Sequence, residues 1–137
     1  MNDKANILIV DDEEVVRLSH QRSLEASECN TRAAEDGRQA INVMEKQPAD
    51  VVLLDIRMPD LDGMDVLKII KQRWPDSQVV VITGYPSIES AKQAVKLGAF
   101  DYLAKPLEPQ EVVRVASDAV NQKRWTLRSS AGNQTIS

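Results

Sequence analysis

Short apolar runs recur along this chain, each closed by a polar residue and followed by a stretch with apolar positions at helical spacing. The clearest is Val51-Val52-Leu53-Leu54, bounded by Ala49-Asp50 before it and, beyond Asp55, by a turn around Pro59. An uninterrupted apolar run of this length predicts a strand buried on both faces, hence central and parallel. Asn6-Ile7-Leu8-Ile9-Val10 reads the same way and ends in Asp11-Asp12. Residues 29–34 predict a weaker, more polar strand suited to a sheet edge. Residues 78–82, nearly all β-branched, predict a fourth strand ending at Thr83-Gly84, and residues 99–103 a short fifth that runs into Ala104-Lys105-Pro106.

Helical patterns fill the gaps. The first runs from the acids Asp11 to Glu14 to about Ala26, where clustered carboxylates suit the positive end of a helix dipole. Asp36 caps the second, with Gln39 three residues on and a stripe of Ala40, Ile41 and Met44 ending before Pro48. Val66, Leu67, Ile70 and Trp74 mark the third, closed by Pro75, with Trp74 read as core. Ser87 caps the fourth, in which Ile88, Ala91 and Val95 are expected to face inward and Gly98 to stop the helix. The last begins near Pro109, with Val112, Ala116 and Ala119 on one face.

Strands alternating with helices predict an α/β fold: a doubly wound, five-stranded parallel sheet, flavodoxin-like, with five helices. A barrel needs eight such units. Five strands fit the order 2-1-3-4-5, in which the winding reverses between strands one and three, and that is where ligands are expected. Asp11, Asp12 and Asp55 end those two strands. Taken alone, Asp55 is more simply an acid opening a loop; its company changes that. Residues 1–123 are expected to form one domain. Residues 124–137, rich in Ser, Asn, Gln, Lys and Arg, read as a flexible tail or linker.

Composition narrows the chemistry. At 42% hydrophobic and 28% charged residues, the 137-residue chain is balanced like a globular protein. Its N-terminus has no hydrophobic signal region and no apolar run approaches membrane-spanning length, so a cytoplasmic location is expected. A formal net charge of −4 argues against direct nucleic-acid binding by this segment. The single cysteine, Cys29, excludes an internal disulfide, and the single histidine, His20, sits among polar residues and reads as a solvated helix position rather than a metal ligand.

Three carboxylates gathered at a sheet edge repel one another unless a cation lies between them. An oxygen-only donor set suits magnesium or manganese better than zinc. Lys105 can reach over as a fixed charge, Thr83 offers a hydroxyl, and Gly84 leaves room for an incoming group. Acids, hydroxyl, lysine and metal together describe a phosphoryl pocket with a carboxylate as nucleophile.

With these residues in place, the chain resembles the receiver domains of two-component response regulators over roughly residues 5–123. Asp11-Asp12, Asp55, Thr83 and Lys105-Pro106 fall at the ends of strands one, three, four and five in the family's order, and Asp55-Ile56-Arg57-Met58-Pro59-Asp60-Leu61-Asp62-Gly63 is similar to the family's sequence around its phosphorylated aspartate. The resemblance implies that Asp55 accepts a phosphoryl group from a sensor histidine kinase or phosphotransfer protein. It implies magnesium held by Asp12, Asp55 and the backbone carbonyl of Arg57, with Asp11 acting through a water. Lys105 would pair with a phosphoryl oxygen, and its bond to Pro106 would be cis. Thr83 and Tyr102 would switch the face of helix four, strand five and helix five toward an output domain or partner protein, with a phosphorylation-dependent homodimer as one form of response. No enzymatic activity beyond self-phosphorylation and self-dephosphorylation is implied. Arg57 and Tyr85, both bulky, flank the path of a hydrolytic water and predict slow dephosphorylation, while Pro86 stiffens the loop that moves with Thr83.

Two other readings are weighed against this. A magnesium-dependent phosphohydrolase with an aspartate nucleophile wants two acids separated by one residue after the first strand, whereas Asp11 and Asp12 are adjacent. A degenerate docking module would not be expected to keep every chemical position filled.

Overall fold

The structure is a computed structural model in which residues 4–136 are described. Five strands, β1 (Asn6–Val10), β2 (Asn30–Ala34), β3 (Val51–Leu54), β4 (Gln78–Thr83) and β5 (Asp101–Ala104), form one parallel sheet of order β2-β1-β3-β4-β5. They alternate with α1 (Glu14–Ala26), α2 (Gly37–Lys46), α3 (Gly63–Arg73), α4 (Ile88–Lys96) and α5 (Pro109–Ile136). The expected fold class and strand order are those observed.

β3 explains why the sheet needs helices on both sides. Val52 and Leu54 point into the cluster shared with α2, α3 and α4, while Val51 and Leu53 point into the one shared with α1 and α5. All four are at most 1% exposed, and each buried leucine contributes about 2 kcal/mol. Register then follows: Val10 lies opposite Leu54, so β1 and β3 end side by side.

Two helices differ from the reading of their sequences. On α4, Ala94 is buried, Ser90, Ala91 and Leu97 are partly so, and Ile88 and Val95 are 77% and 70% exposed. The small residues at positions 90, 91 and 94 form the inward face of this helix, and its larger apolar residues are turned to solvent. On α1, His20 is 7% exposed, not solvated. Val16, His20 and Leu24 are spaced i, i+4, i+8, and this inward row uses the imidazole as an apolar body in a helix with few alternatives. α5 runs as helix past residue 124 to Ile136. Its first half is fixed by Val112, Val115, Ala116, Ala119 and Val120 in the core, so extension adds turns without a new nucleation step. Lys123 ties the far end of the packed part to Asp50, with Nζ 2.6 Å from Oδ1.

Candidate functional site

β1 and β3 leave the sheet together. The Asp55 amide donates to the carbonyl of Val10 at 2.9 Å and the Asp11 amide to that of Ala34 at 3.1 Å. These bonds hold both chains in sheet register one residue beyond the strands, so the two carboxylates emerge as neighbours. Asp11 and Asp55 are only 3% and 4% exposed, whereas Asp12 is exposed to solvent.

Lys105 arrives from the other side of the sheet. Thr83 lies opposite Ala104, and the Lys105 amide donates to the Thr83 carbonyl at 2.8 Å. From there the side chain crosses the end of β4. Gly84 lies beside that path, where a Cβ would stand 4.0 Å from the Lys105 Cδ, an ordinary van der Waals contact. Its Nζ ends 2.7 Å from Asp11 Oδ2, 3.0 Å from Asp55 Oδ2 and 3.3 Å from Glu13 Oε1. The Lys105–Pro106 peptide bond is cis.

Both buried acids are satisfied twice. Asp11 Oδ1 accepts from the Glu13 amide and Asp55 Oδ1 from the Arg57 amide, each at 2.9 Å. Burial pushes the Asp55 carboxyl up from its ordinary range, against the Arg57 N–H and Lys105, which favour the anion. Burial also pulls Lys105 down, but its bonds to Asp11 and Asp55 outweigh that and hold it well above ordinary lysine. Lys105 is therefore charged throughout the physiological range.

Asp11, Asp12 and Asp55 each offer an oxygen within 4.8 Å of the others. Three carboxylates against one ammonium leave uncompensated negative charge, and a hard-oxygen set with an exposed member fits a divalent cation that keeps waters. A cavity of about 180 Å³ opens beside them, lined by Asp12, Asp55, Arg57, Gly84, Tyr85 and Lys105. The Arg57 guanidinium lies 4.3 Å over the centre of the Tyr85 ring.

Thr83 is fully buried, and its hydroxyl accepts from the Tyr85 amide at 3.0 Å. Tyr102, half-buried on β5, places its hydroxyl at the start of α4, where it accepts from the Ser87 amide at 3.1 Å and shares a short hydrogen bond with the Ser90 hydroxyl. The structure thus brings Asp11, Asp12, Asp55 and Lys105 into one cluster, with the Arg57 amide on Asp55, while Thr83 and Tyr102 stand one and two strands away. Glu13 was read only as a helix-start acid, and its reach to Lys105 was missed. Four acids in sequence after a strand were the available signal, since some of them must face the strand end.

Residues 7–117 match the response regulator receiver domain family. The chain belongs to this family. A receiver domain is the phosphoacceptor module of two-component signalling. This receiver is 35% identical over 121 residues to the DNA-binding transcriptional regulator NtrC of Proteus hauseri, covering 88% of this chain and 26% of that protein. NtrX from Brucella abortus superposes with a TM-score of 0.88 at 32% identity, over 93% of this chain and 29% of that one. The beryllofluoride-activated NtrC4 receiver domain dimer superposes with a TM-score of 0.82 at 34% identity, over 86% of this chain and 98% of that one. The receiver spans about a quarter of the length of the curated relatives it matches.

Proposed function

We propose that Asp55 takes a phosphoryl group from a phosphohistidine on a sensor histidine kinase or phosphotransfer protein. The observation that carries this reading is the meeting of Asp55, Asp11 and the Lys105 ammonium at the ends of β1 and β3. An Asp55 oxygen attacks phosphorus, the P–N bond breaks with its electron pair going to the imidazole, and an acyl phosphate forms. Lys105, held in place by Asp11, neutralises a phosphoryl oxygen. Asp11, Asp12, Asp55 and the Arg57 carbonyl would hold magnesium or manganese. That cation, when bound, supplies charge neutralisation for the transferred group. Water later attacks the same phosphorus and releases inorganic phosphate, so the chain catalyses its own modification and reversal and no separate reaction.

Thr83 and Tyr102 then relay the change to the α4–β5–α5 face. Ile88 and Val95, exposed on α4, give that face the apolar surface an output domain, partner protein or second copy would cover. The dimeric state named for the NtrC4 receiver supports the second copy. A cytoplasmic location fits a kinase donor, and the described residues contain no helix long and apolar enough to cross a membrane.

Intact mass after incubation with magnesium and acetyl phosphate tests the acceptor. The expected result is a gain of about 80 mass units that requires the metal and is absent in Asp55→Ala. No gain in the wild type, or equal labelling of the variant, would leave a docking module.

A further inference from the structure

The loop after Asp55, residues 57–62, carries the Arg57 carbonyl and is closed at its base and its apex. At the base, the Gly63 amide donates to the Ile56 carbonyl at 3.2 Å, and a Cβ on Gly63 would lie 2.2 Å from the Ile56 Cα, so glycine is required for the two ends to meet. At the apex, Asp60 reaches away from its own loop. Its Oδ1 accepts from the Gly37 amide and its Oδ2 from the Arg38 amide, both at 3.0 Å. Those are the first two amides of α2, which its own cap, Asp36, does not serve; Asp36 accepts from Gln39. α2 is also pressed against the loop and α3, since a Cβ on Gly37 would stand 2.8 Å from Val66 Cγ2 and 3.0 Å from Leu61 Cβ.

We propose that Asp60 is a positioning residue for the metal site: by clamping the loop apex to the N-terminus of α2, it preorganises the Arg57 carbonyl for the cation and couples α2 to the phosphoacceptor. This rests on the proposed function, because it assumes that Arg57 contributes to metal binding. Asp60 is itself exposed and three residues from Arg57, so it acts only through backbone geometry. A free loop has to be ordered each time the metal binds, whereas a clamped loop is ordered by folding.

The test compares Asp60→Ala with Asp36→Ala, by calorimetric titration of the full chain with magnesium chloride and by amide hydrogen exchange. Each variant removes acceptors from the first turn of α2, and each lowers stability. Only Asp60→Ala is expected to weaken magnesium binding, about tenfold, which is roughly the equilibrium effect of ordering one backbone residue. Only Asp60→Ala is expected to speed exchange across residues 57–62, and Asp60→Glu should restore part of the affinity. Equal magnesium affinities in wild type and Asp60→Ala, or the same loss in Asp36→Ala, would overturn the positioning role. A wild type that bound no magnesium would instead overturn the site assignment, and exchange at Gly37 and Arg38 would still report whether the clamp exists.

Discussion

The Arg57 guanidinium stacks on Tyr85, 4.3 Å from its ring centre, and the two side chains together wall the cavity that leads to Asp55. A water that attacks an acyl phosphate on Asp55 from this cavity passes the pair. The contact is worth about 0.5–1 kcal/mol at an exposed position. Replacing both residues with alanine keeps the Arg57 carbonyl and Asp55 in place, so hydrolysis is expected to accelerate by about tenfold, equivalent to roughly 1.4 kcal/mol of barrier. Decay of the phosphorylated species by intact mass over time measures it. An unchanged half-life in the double variant would mean that water reaches phosphorus by another route.

Asp55 is crowded by like charge. It is buried beside Asp11 and near Asp12, with one ammonium to serve the cluster. Asp55→Asn removes one of the crowded charges, keeps an acceptor for the Arg57 amide, and leaves Lys105 paired with Asp11. The variant is expected to melt a few degrees above wild type in the absence of metal. Magnesium should raise the wild-type Tm and have little effect on the variant. Thermal unfolding of both proteins with and without magnesium decides this, and a variant less stable than wild type would show that the Lys105–Asp55 pair outweighs the repulsion.

His20 gives the fold a pH dependence of its own. Burial lowers its pKa from the ordinary 6.5, Asp11 opposes that, and Lys105 adds to it. The unfolded chain therefore takes up the proton first as pH falls. The stability linked to a neutral His20 is complete above 6.5 and declines as pH drops through 6.5 toward the depressed folded value. His20→Leu keeps an apolar body in the α1 row and removes the proton. Denaturant midpoints measured from pH 7.5 to 5.5 are expected to fall more steeply for wild type than for the variant; parallel curves would mean that the buried imidazole is compensated in both states.

Much of this arrangement is legible in the sequence because the residues concerned end strands. A fully apolar run such as Val51–Leu54 has one environment available, and the βα alternation around it leaves few topologies, so Asp11, Asp55, Thr83 and Lys105 were placed by counting strand ends. Helix faces were harder. On α4 the sequence offers two overlapping stripes, Ile88, Ala91 and Val95 on one and Ala91 with Ala94 on the other, and hydrophobicity favours the first. Close approach to the sheet favours the second, and packing distance is not written in a helical period. His20 was misplaced for a related reason, since polarity suggests solvent while spacing with Val16 and Leu24 suggests the core. The Asp60 clamp joins residues 23 positions apart through an exposed carboxylate, a contact that leaves no periodic trace.

The Tyr102 hydroxyl is the point at which β5 meets the start of α4, and it does the work of a second cap there. Ser87 serves the Ser90 amide with its own hydroxyl at 3.1 Å, while Tyr102 serves the Ser87 amide and bonds the Ser90 hydroxyl. Thr83, at the end of β4, is joined to the same connection through the Tyr85 amide. A pull on Thr83 therefore acts on a loop whose far end is fixed by Tyr102. Tyr102→Phe and Ser90→Ala each remove part of that fixing and are expected to lower the local stability of the first turn of α4 by about 1 kcal/mol, the net worth of a typical hydrogen bond. The double variant should lose less than the sum of the two single losses, because the Ser90–Tyr102 bond is common to both while the Ser87 amide bond is lost only in Tyr102→Phe. Hydrogen exchange at Ser90 and Ala91, whose amides are bonded to the Ser87 hydroxyl and carbonyl, reads this directly. Additive losses, or no change in exchange at these amides, would show that Ser90 and Tyr102 do not act as one unit.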